Sequence, residues 1–264
     1  MTEQAGAGDV PDERVLVIIP TYNESQTLPV TLGRVRAEAS AAHVLVVDDG
    51  SPDGTGELAD ALAGEDDHVF VMHRSGKLGL GTAYVAGFRW AIERDYTVIV
   101  EMDADGSHRA QDLPRLLAVL EDRPDVDLVL GSRWVPGGKV VNWPRSREFL
   151  SRGANLYTRV LLGLGVGDAT GGFRAYRAHV LRRIDLATVD SQGYCFQVDM
   201  VMRVKDLGCA VVEVPITFVE RTARVSKMSR NIIVEALWRV TAWGLARRAR
   251  QVRGALRRPS SASG

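Results

Sequence analysis

Val15-Leu16-Val17-Ile18-Ile19 is an unbroken apolar, largely β-branched run that gives way at once to Pro20-Thr21-Tyr22-Asn23-Glu24. A run without polar alternation suits a strand buried on both faces, the habit of parallel sheets covered by helices. The pattern recurs at residues 43–47, which stop at Asp48-Asp49-Gly50-Ser51, at 69–72, and at 97–102, which stop at Asp103-Ala104-Asp105. Helix-like segments at 25–39, 55–62 and 81–94 separate these runs, and a further helix at 110–121 and strand at 127–130 follow. Strands alternating with helices predict an α/β domain with a mostly parallel sheet. The first strand is expected to end at Pro20.

Three of the strand ends carry polar motifs. In open α/β sheets ligands bind outside the carboxyl ends of the strands, so three such motifs point to one shared site. Asp103 and Asp105 offer hard oxygen ligands that suit Mg²⁺ or Mn²⁺ shared with substrate phosphates. As a bare motif the pair reads more readily as a turn stabilised by aspartate side chains, and the neighbouring strand-end motifs reverse that balance. Asp48-Asp49 reads either as turn chemistry or as base or ribose recognition, with Tyr22 and Glu24 placed for the same nucleoside. Gly76-Lys77-Leu78-Gly79-Leu80-Gly81-Thr82 lacks the spacing of a phosphate-binding P-loop, although Lys77 remains in range of a nucleotide.

Beyond residue 130 the pattern loosens. Residues 131–147 are rich in Gly, Pro and basic side chains, with Trp134 and Trp143, and read as a mobile functional loop. A helix is expected at 147–162, a turn at 171–174, a helix at 196–207 and a strand at 210–214. A long helix is expected at 230–253, with Ile232, Ile233, Ala236, Leu237, Val240, Trp243 and Leu245 at helical spacing.

The chain has 264 residues and a formal net charge of zero, but the charge is unevenly spread. Residues 221–264 hold eleven basic groups and one acid, leaving an acidic body. A basic tail on an acidic body predicts contact with an anionic surface. Residues 238–258, with seven arginines and no acid, read as an amphipathic helix on an anionic membrane or as a helix packed on the domain with a solvated basic face. No stretch of 18 apolar residues is present, residues 1–13 lack the features of a secretory leader, and the two cysteines read as reduced thiols. No nucleic-acid motif accompanies the basic tail, so nucleic acid is not expected as a partner.

The motifs taken together resemble the polyprenyl (dolichyl) phosphate mannose synthases, specifically the actinobacterial type without transmembrane helices. These are family 2 inverting glycosyltransferases of the GT-A fold, a Rossmann-like nucleotide-diphospho-sugar transferase architecture. The resemblance runs through residues 17–24, 46–55, 77–84, 102–105, 131–133, 168–174, 193–197, 213–216 and 221–227, and covers roughly 14–230. It implies a domain at 14–230; the residues outside it read as a basic amphipathic helical tail at 231–258 and disordered ends at 1–13 and 259–264.

The resemblance also implies roles. Pro20, Tyr22, Glu24, Val47 and Asp49 would line the nucleoside pocket, and Met102, Asp103, Ala104 and Asp105 would hold metal and sugar diphosphate. Arg221 and Lys227 would close over the diphosphate. Arg133, Arg147 and Ser151 would hold the acceptor phosphate, with Arg133 also near the donor. Asp103, Asp105 and Arg133 would be the catalytic set. Gln197 is a further metal-ligand candidate. Where the family often has Gln as third ligand this chain has Ser107, a shorter and weaker one, with water or His108 as substitutes.

The implied reaction moves mannose from GDP-mannose to polyprenyl phosphate with Mg²⁺ or Mn²⁺. A polyprenyl phosphate glucosyltransferase using UDP-glucose is the alternative. The implied location is peripheral, on the cytoplasmic face of the plasma membrane, with an integral membrane protein as a candidate tether.

Overall fold

A computed structural model describes residues 14–191, 193–220 and 237–249. The expected ends at 1–13 and 259–264, and the outer parts of the expected tail helix, lie outside them.

The chain runs through β1 (Val15–Thr21), α1 (Leu28–Glu38), β2 (His43–Asp48), α2 (Thr55–Glu65), β3 (Val69–His73), α3 (Leu80–Ile92), β4 (Val98–Glu101), α4 (Leu113–Asp122) and β5 (Leu128–Ser132). After these come β6 (Lys139–Val141), α5 (Arg145–Leu162), β7 (Arg174–Arg177), α6 (Ala178–Arg183), α7 (Tyr194–Asp206), β8 (Val211–Pro215), β9 (Thr217–Val219) and a helix, α8, at 237–249. Seven strands form one sheet in the order β3-β2-β1-β4-β7-β5-β8. All its pairings are parallel except those of β7, which is antiparallel to both neighbours. β6 and β9 pair separately as a parallel ribbon.

The apolar runs explain the sheet. Leu16 and Ile18 pack into the core on one face, with Leu45, Val47 and Ile99 beside them, while Val17 and Ile19 join Val44, Val46, Val98 and Val100 on the other. Both faces are covered, so every position of β1 from Leu16 to Ile19 is fully buried. Burying each such side chain is worth roughly 1.5–3 kcal/mol. β1 continues past Pro20 to Thr21, which pairs with Asp48. The proline removes one ladder donor, and near the strand's end the remaining pairing tolerates that loss.

Two readings of the second half are corrected. The expected turn at 171–174 leads directly into strand β7, whose Arg-Ala-Tyr-Arg sequence carries no apolar run. Arg174 is nonetheless fully buried, because the carbonyls of Gly171, Ala169 and Gln197 accept its guanidinium N–H groups at 2.8, 2.8 and 2.7 Å. The expected mobile loop at 131–147 instead contains the end of β5, all of β6 and a buried arginine, Arg133.

The described part of the tail helix packs on the domain. Val240 is buried in the core, Trp243 packs against it, and Tyr157 and Thr241 share a 2.7 Å hydrogen bond. Trp238 and Leu245 remain 73% and 63% exposed. Among the described residues no helix is long and apolar enough to cross a membrane. Cys195 and Cys209 are buried free thiols.

Candidate active site

β2 and β3 lie on one side of β1 and β4 lies on the other, so the strand order reverses between β1 and β4. A crevice opens at their carboxyl ends, the place such sheets reserve for ligands. It forms a cavity of about 430 Å³. Pro20, Tyr22 and Glu24 line it from the end of β1, Asp49 from β2, and Asp103, Ala104 and Asp105 from β4. Lys77, Gly79, Leu80 and Ala83 complete the wall from the turn before α3 and from α3 itself. The three strand-end motifs therefore share one cavity.

The loop after β4 is held at each residue. His108 accepts the Asp103 N–H on Nδ1 at 3.1 Å, and its ring stacks on Phe173. The Thr31 hydroxyl, on α1, donates to the Ala104 carbonyl at 2.9 Å. Both the N–H and the hydroxyl of Ser107 donate to Oδ1 of Asp105, the former at 2.8 Å. Gly106 between them has φ +73°, a conformation that disfavours a side chain. The Ser107 hydroxyl thus orients Asp105 through its proton, while its oxygen lone pairs stay open to a cation. Nδ1 of His108 is occupied by a backbone N–H.

Beneath this loop lies a polar core. A Cβ at Gly172 would sit 3.5 Å from Gln197 Nε2, 3.5 Å from His108 Cε1 and 3.8 Å from Asp103 Oδ1. Gln197 is 3% exposed, and its side-chain amide faces the Glu101 carboxyl without a close hydrogen bond. Glu101 is fully buried and accepts from the Tyr176 hydroxyl at 2.9 Å. Burial raises its carboxyl to about 7, against the opposing pull of Arg174. A buried amide beside Asp103, with Asp105 across the turn, fits a divalent cation whose remaining ligands come from diphosphate and water. Among the described residues no cluster of three or more His, Cys, Asp or Glu could hold a metal alone.

On the nucleoside side the two acids of Asp48-Asp49 separate. Asp48 braces its own turn, accepting from the Ser51 N–H at 3.0 Å and from the Thr21 hydroxyl at 3.1 Å. Asp49 turns toward the cavity wall, paired with Arg74 at 2.6 Å and accepting the Leu78 N–H at 3.2 Å. Arg74 was invisible to motif reading because its role depends on β3 placing it beside β2. The Lys77 ammonium lies 4.2 Å from the centre of the Tyr22 ring. Val47 and Met102 have their side chains in the core, which leaves backbone as what they present here.

Arg133, Arg147 and Ser151 lie outside this cavity's lining. Arg133 is 5% exposed and grips Asp168 through Nε and Nη2, both at 2.7 Å, with Thr170 at 2.9 Å. Burial raises the Asp168 carboxyl, but the adjacent Arg133 overcomes this and holds it below its ordinary value. Arg147, in the first turn of α5, stacks 4.2 Å over Trp143 and pairs with Glu220. Arg133 approaches the same Trp143 ring at 5.6 Å, so the two arginines share one aromatic wall. Ser151 follows Arg147 by one helical turn. Arg221 and Lys227 lie outside the described residues.

The mixed α/β sheet with a carboxylate pair at its switch point matches the GT-A architecture expected from the motifs. The family model "Glycosyl transferase family 2" matches residues 16–185, and the chain belongs to that family. It is 59% identical to an undecaprenyl-phosphate mannosyltransferase of Micrococcus luteus, over 89% of this chain and 96% of the relative. It is 55% identical to a polyprenol monophosphomannose synthase of Mycolicibacterium smegmatis, over 96% and 97%. Solved structures of glucosyl-3-phosphoglycerate synthase from Mycobacterium tuberculosis share the fold. A complex with phosphoglyceric acid aligns with TM-score 0.65, and one with Mn²⁺, UDP-glucose and phosphoglyceric acid with 0.64. Each is 20% identical and covers 89% of this chain and 80% of that one.

Proposed function

We propose that this enzyme transfers mannose from GDP-mannose to a polyprenyl phosphate, giving polyprenyl phosphate β-mannose and GDP. The observation that carries the reading is near-full-length identity of 59% and 55% to two enzymes named for mannosyl transfer to, or mannose on, a polyprenyl phosphate. GDP as the carrier follows from the motif resemblance.

The donor occupies the cavity between β1 and β4. Tyr22, Glu24, Asp49 and Lys77 surround the nucleoside end. Asp103 and Asp105 face the diphosphate. A bound Mg²⁺ or Mn²⁺ would neutralise charge on the departing diphosphate. Ser107 keeps Asp105 oriented, and Gln197 supplies a polar contact beside Asp103.

Arg147 and Ser151, on one face of α5, hold the acceptor phosphate, and Arg133 sets the wall behind them. A phosphate oxygen is already anionic at neutral pH, so it attacks the anomeric carbon without a general base. The new bond forms between that oxygen and the anomeric carbon as the bond to the diphosphate breaks, its electron pair leaving with GDP. In-line attack inverts the configuration. The acids position and balance charge; they carry no proton.

The protein acts at the cytoplasmic face of the plasma membrane, held peripherally by the exposed apolar side chains of α8 and the basic residues that follow. The domain at 14–230 carries catalysis and the 231–258 tail carries attachment, with an integral membrane protein as a further tether.

Asp103→Asn and Asp105→Asn test the site. Each should lower mannosyl transfer by about 100-fold or more at saturating metal. Full activity in either variant would contradict it.

A further inference from the structure

Arg147 and Glu220 form an ion pair in which both side chains are about one-fifth exposed, 22% and 20%. The Glu220 N–H donates to the Val141 carbonyl at 3.0 Å, continuing the β6–β9 ribbon and fixing this carboxylate over the start of α5. Trp143 lies on the other side of Arg147, its ring 4.2 Å from the guanidinium and edge-on to Phe218 at 5.4 Å. The neighbouring Arg133 has its own buried counter-ion in Asp168. Arg152 has Glu148, one turn away on α5, at 2.9 Å.

The basket around Arg147 is incompletely satisfied. Oε2 of Glu220 is buried without a hydrogen-bond partner, and so are the indole N–H groups of Trp134 and Trp143. Indole nitrogens only donate, so two buried donors in this wall await an acceptor. A single carboxylate oxygen on Arg147 leaves them unmet. A phosphate monoester has three terminal oxygens and forms the forked, charge-assisted bonds that guanidinium favours.

We propose that Glu220 is an internal stand-in for the acceptor phosphate. It occupies Arg147 while the acceptor is absent and is displaced when the phosphate of the polyprenyl phosphate arrives. The inference rests on the acceptor role proposed above for Arg147. Glu220 keeps a partly buried cation compensated, since such a cation without a partner is costly. It also sets a threshold: a headgroup must out-compete a carboxylate to enter, which favours phosphate monoesters over neutral or weakly charged lipid heads.

The test is steady-state kinetics on the full chain with a short polyprenyl phosphate. Glu220→Gln keeps the side chain's shape and removes its charge. Its acceptor KM should fall roughly three- to tenfold, the scale of a partly exposed ion pair, while the donor KM stays put. Glu220→Asp should shift the acceptor KM less, in the same direction, and serves if the first variant folds poorly. Placing Arg147→Gln beneath Glu220→Gln should abolish the gain.

Inorganic phosphate, used as a competitor of the acceptor, should bind more tightly by a similar factor. An acceptor KM that is unchanged or raised in folded Glu220→Gln would overturn the proposal. So would a gain for the lipid without one for inorganic phosphate, which would place the effect in the hydrocarbon chain. A wild-type enzyme that transfers no sugar to polyprenyl phosphate would overturn the acceptor reading itself, and the stand-in with it.

Discussion

Arg133 and Asp168 form a two-point ion pair, Nε to Oδ2 and Nη2 to Oδ1, each 2.7 Å, with Arg133 5% exposed and Asp168 fully buried. The Arg133 backbone N–H adds a third bond to the same carboxylate at 3.0 Å, and the Asn155 side-chain amide approaches it at 3.3 Å. This pair joins the end of β5 to the loop before β7 and anchors α5. It fixes the aromatic wall on which Arg147 rests.

Breaking the pair leaves a buried cation uncompensated. Asp168→Ala should destabilise the fold by about 3–5 kcal/mol at neutral pH. The effect should depend on pH in one direction. The folded state holds the Asp168 carboxyl below its ordinary value of 3.8, so the unfolded chain takes up the proton first as pH falls. The stabilisation is complete above about pH 4 and is lost as pH drops through the lower folded-state value. Urea unfolding of wild type and variant from pH 7 to pH 2.5 should show the gap narrowing only at the acid end. A gap independent of pH would contradict the assignment.

Ser107 acts on Asp105 from behind, so its loss should be felt in metal affinity first. Ser107→Ala should raise the Mn²⁺ concentration for half-maximal activity about 10- to 100-fold, the usual cost of removing an orienting partner. At saturating Mn²⁺ most of the rate should return. A variant whose metal dependence matches wild type would show that Asp105 needs no such brace.

Gly81 lies where α3 meets the segment before α7. A Cβ there would stand 2.6 Å from the Ser191 carbonyl oxygen and 2.8 Å from the Phe196 ring. The carbonyl is backbone and Phe196 is fully buried against Tyr84, so neither yields easily. Gly81→Ala should cost about 1–3 kcal/mol. Gly33→Ala is the control, since nothing lies within 4 Å of its Cβ position. Thermal unfolding should separate the two variants clearly.

The exposed apolar side chains of α8 predict attachment to a charged lipid surface. Deleting residues 246–264, which carry most of the tail's arginines, should reduce sedimentation with anionic vesicles at low salt. Wild-type binding should weaken as salt rises. Unchanged sedimentation after the deletion would remove the tail from membrane attachment.

The parallel half of the fold was legible because its strands are apolar runs closed by polar motifs. Tyr22, Asp49, Asp103 and Asp105 could be placed in one cavity from that grammar alone. β7 was not legible, since Arg174 and Tyr176 are buried by hydrogen bonds to distant carbonyls and to Glu101, which no local pattern announces. The Gly- and Pro-rich stretch after β5 concealed a buried ion pair, because the partner of Arg133 lies 35 residues away. Ser107 illustrates a subtler limit. Its position in the motif marks it as a ligand candidate, and its second role is visible only in the turn, where the hydroxyl also donates to the carboxylate two residues before it.

Mannosyl transfer from GDP-mannose is tested most directly with two radiolabelled donors. The protein is incubated with Mg²⁺ or Mn²⁺, a short polyprenyl phosphate, and either labelled GDP-mannose or labelled UDP-glucose, then extracted with butanol. Label should enter the organic phase from GDP-mannose alone and only when the polyprenyl phosphate is present. Transfer from UDP-glucose alone, or no organic label from either donor, would contradict the account.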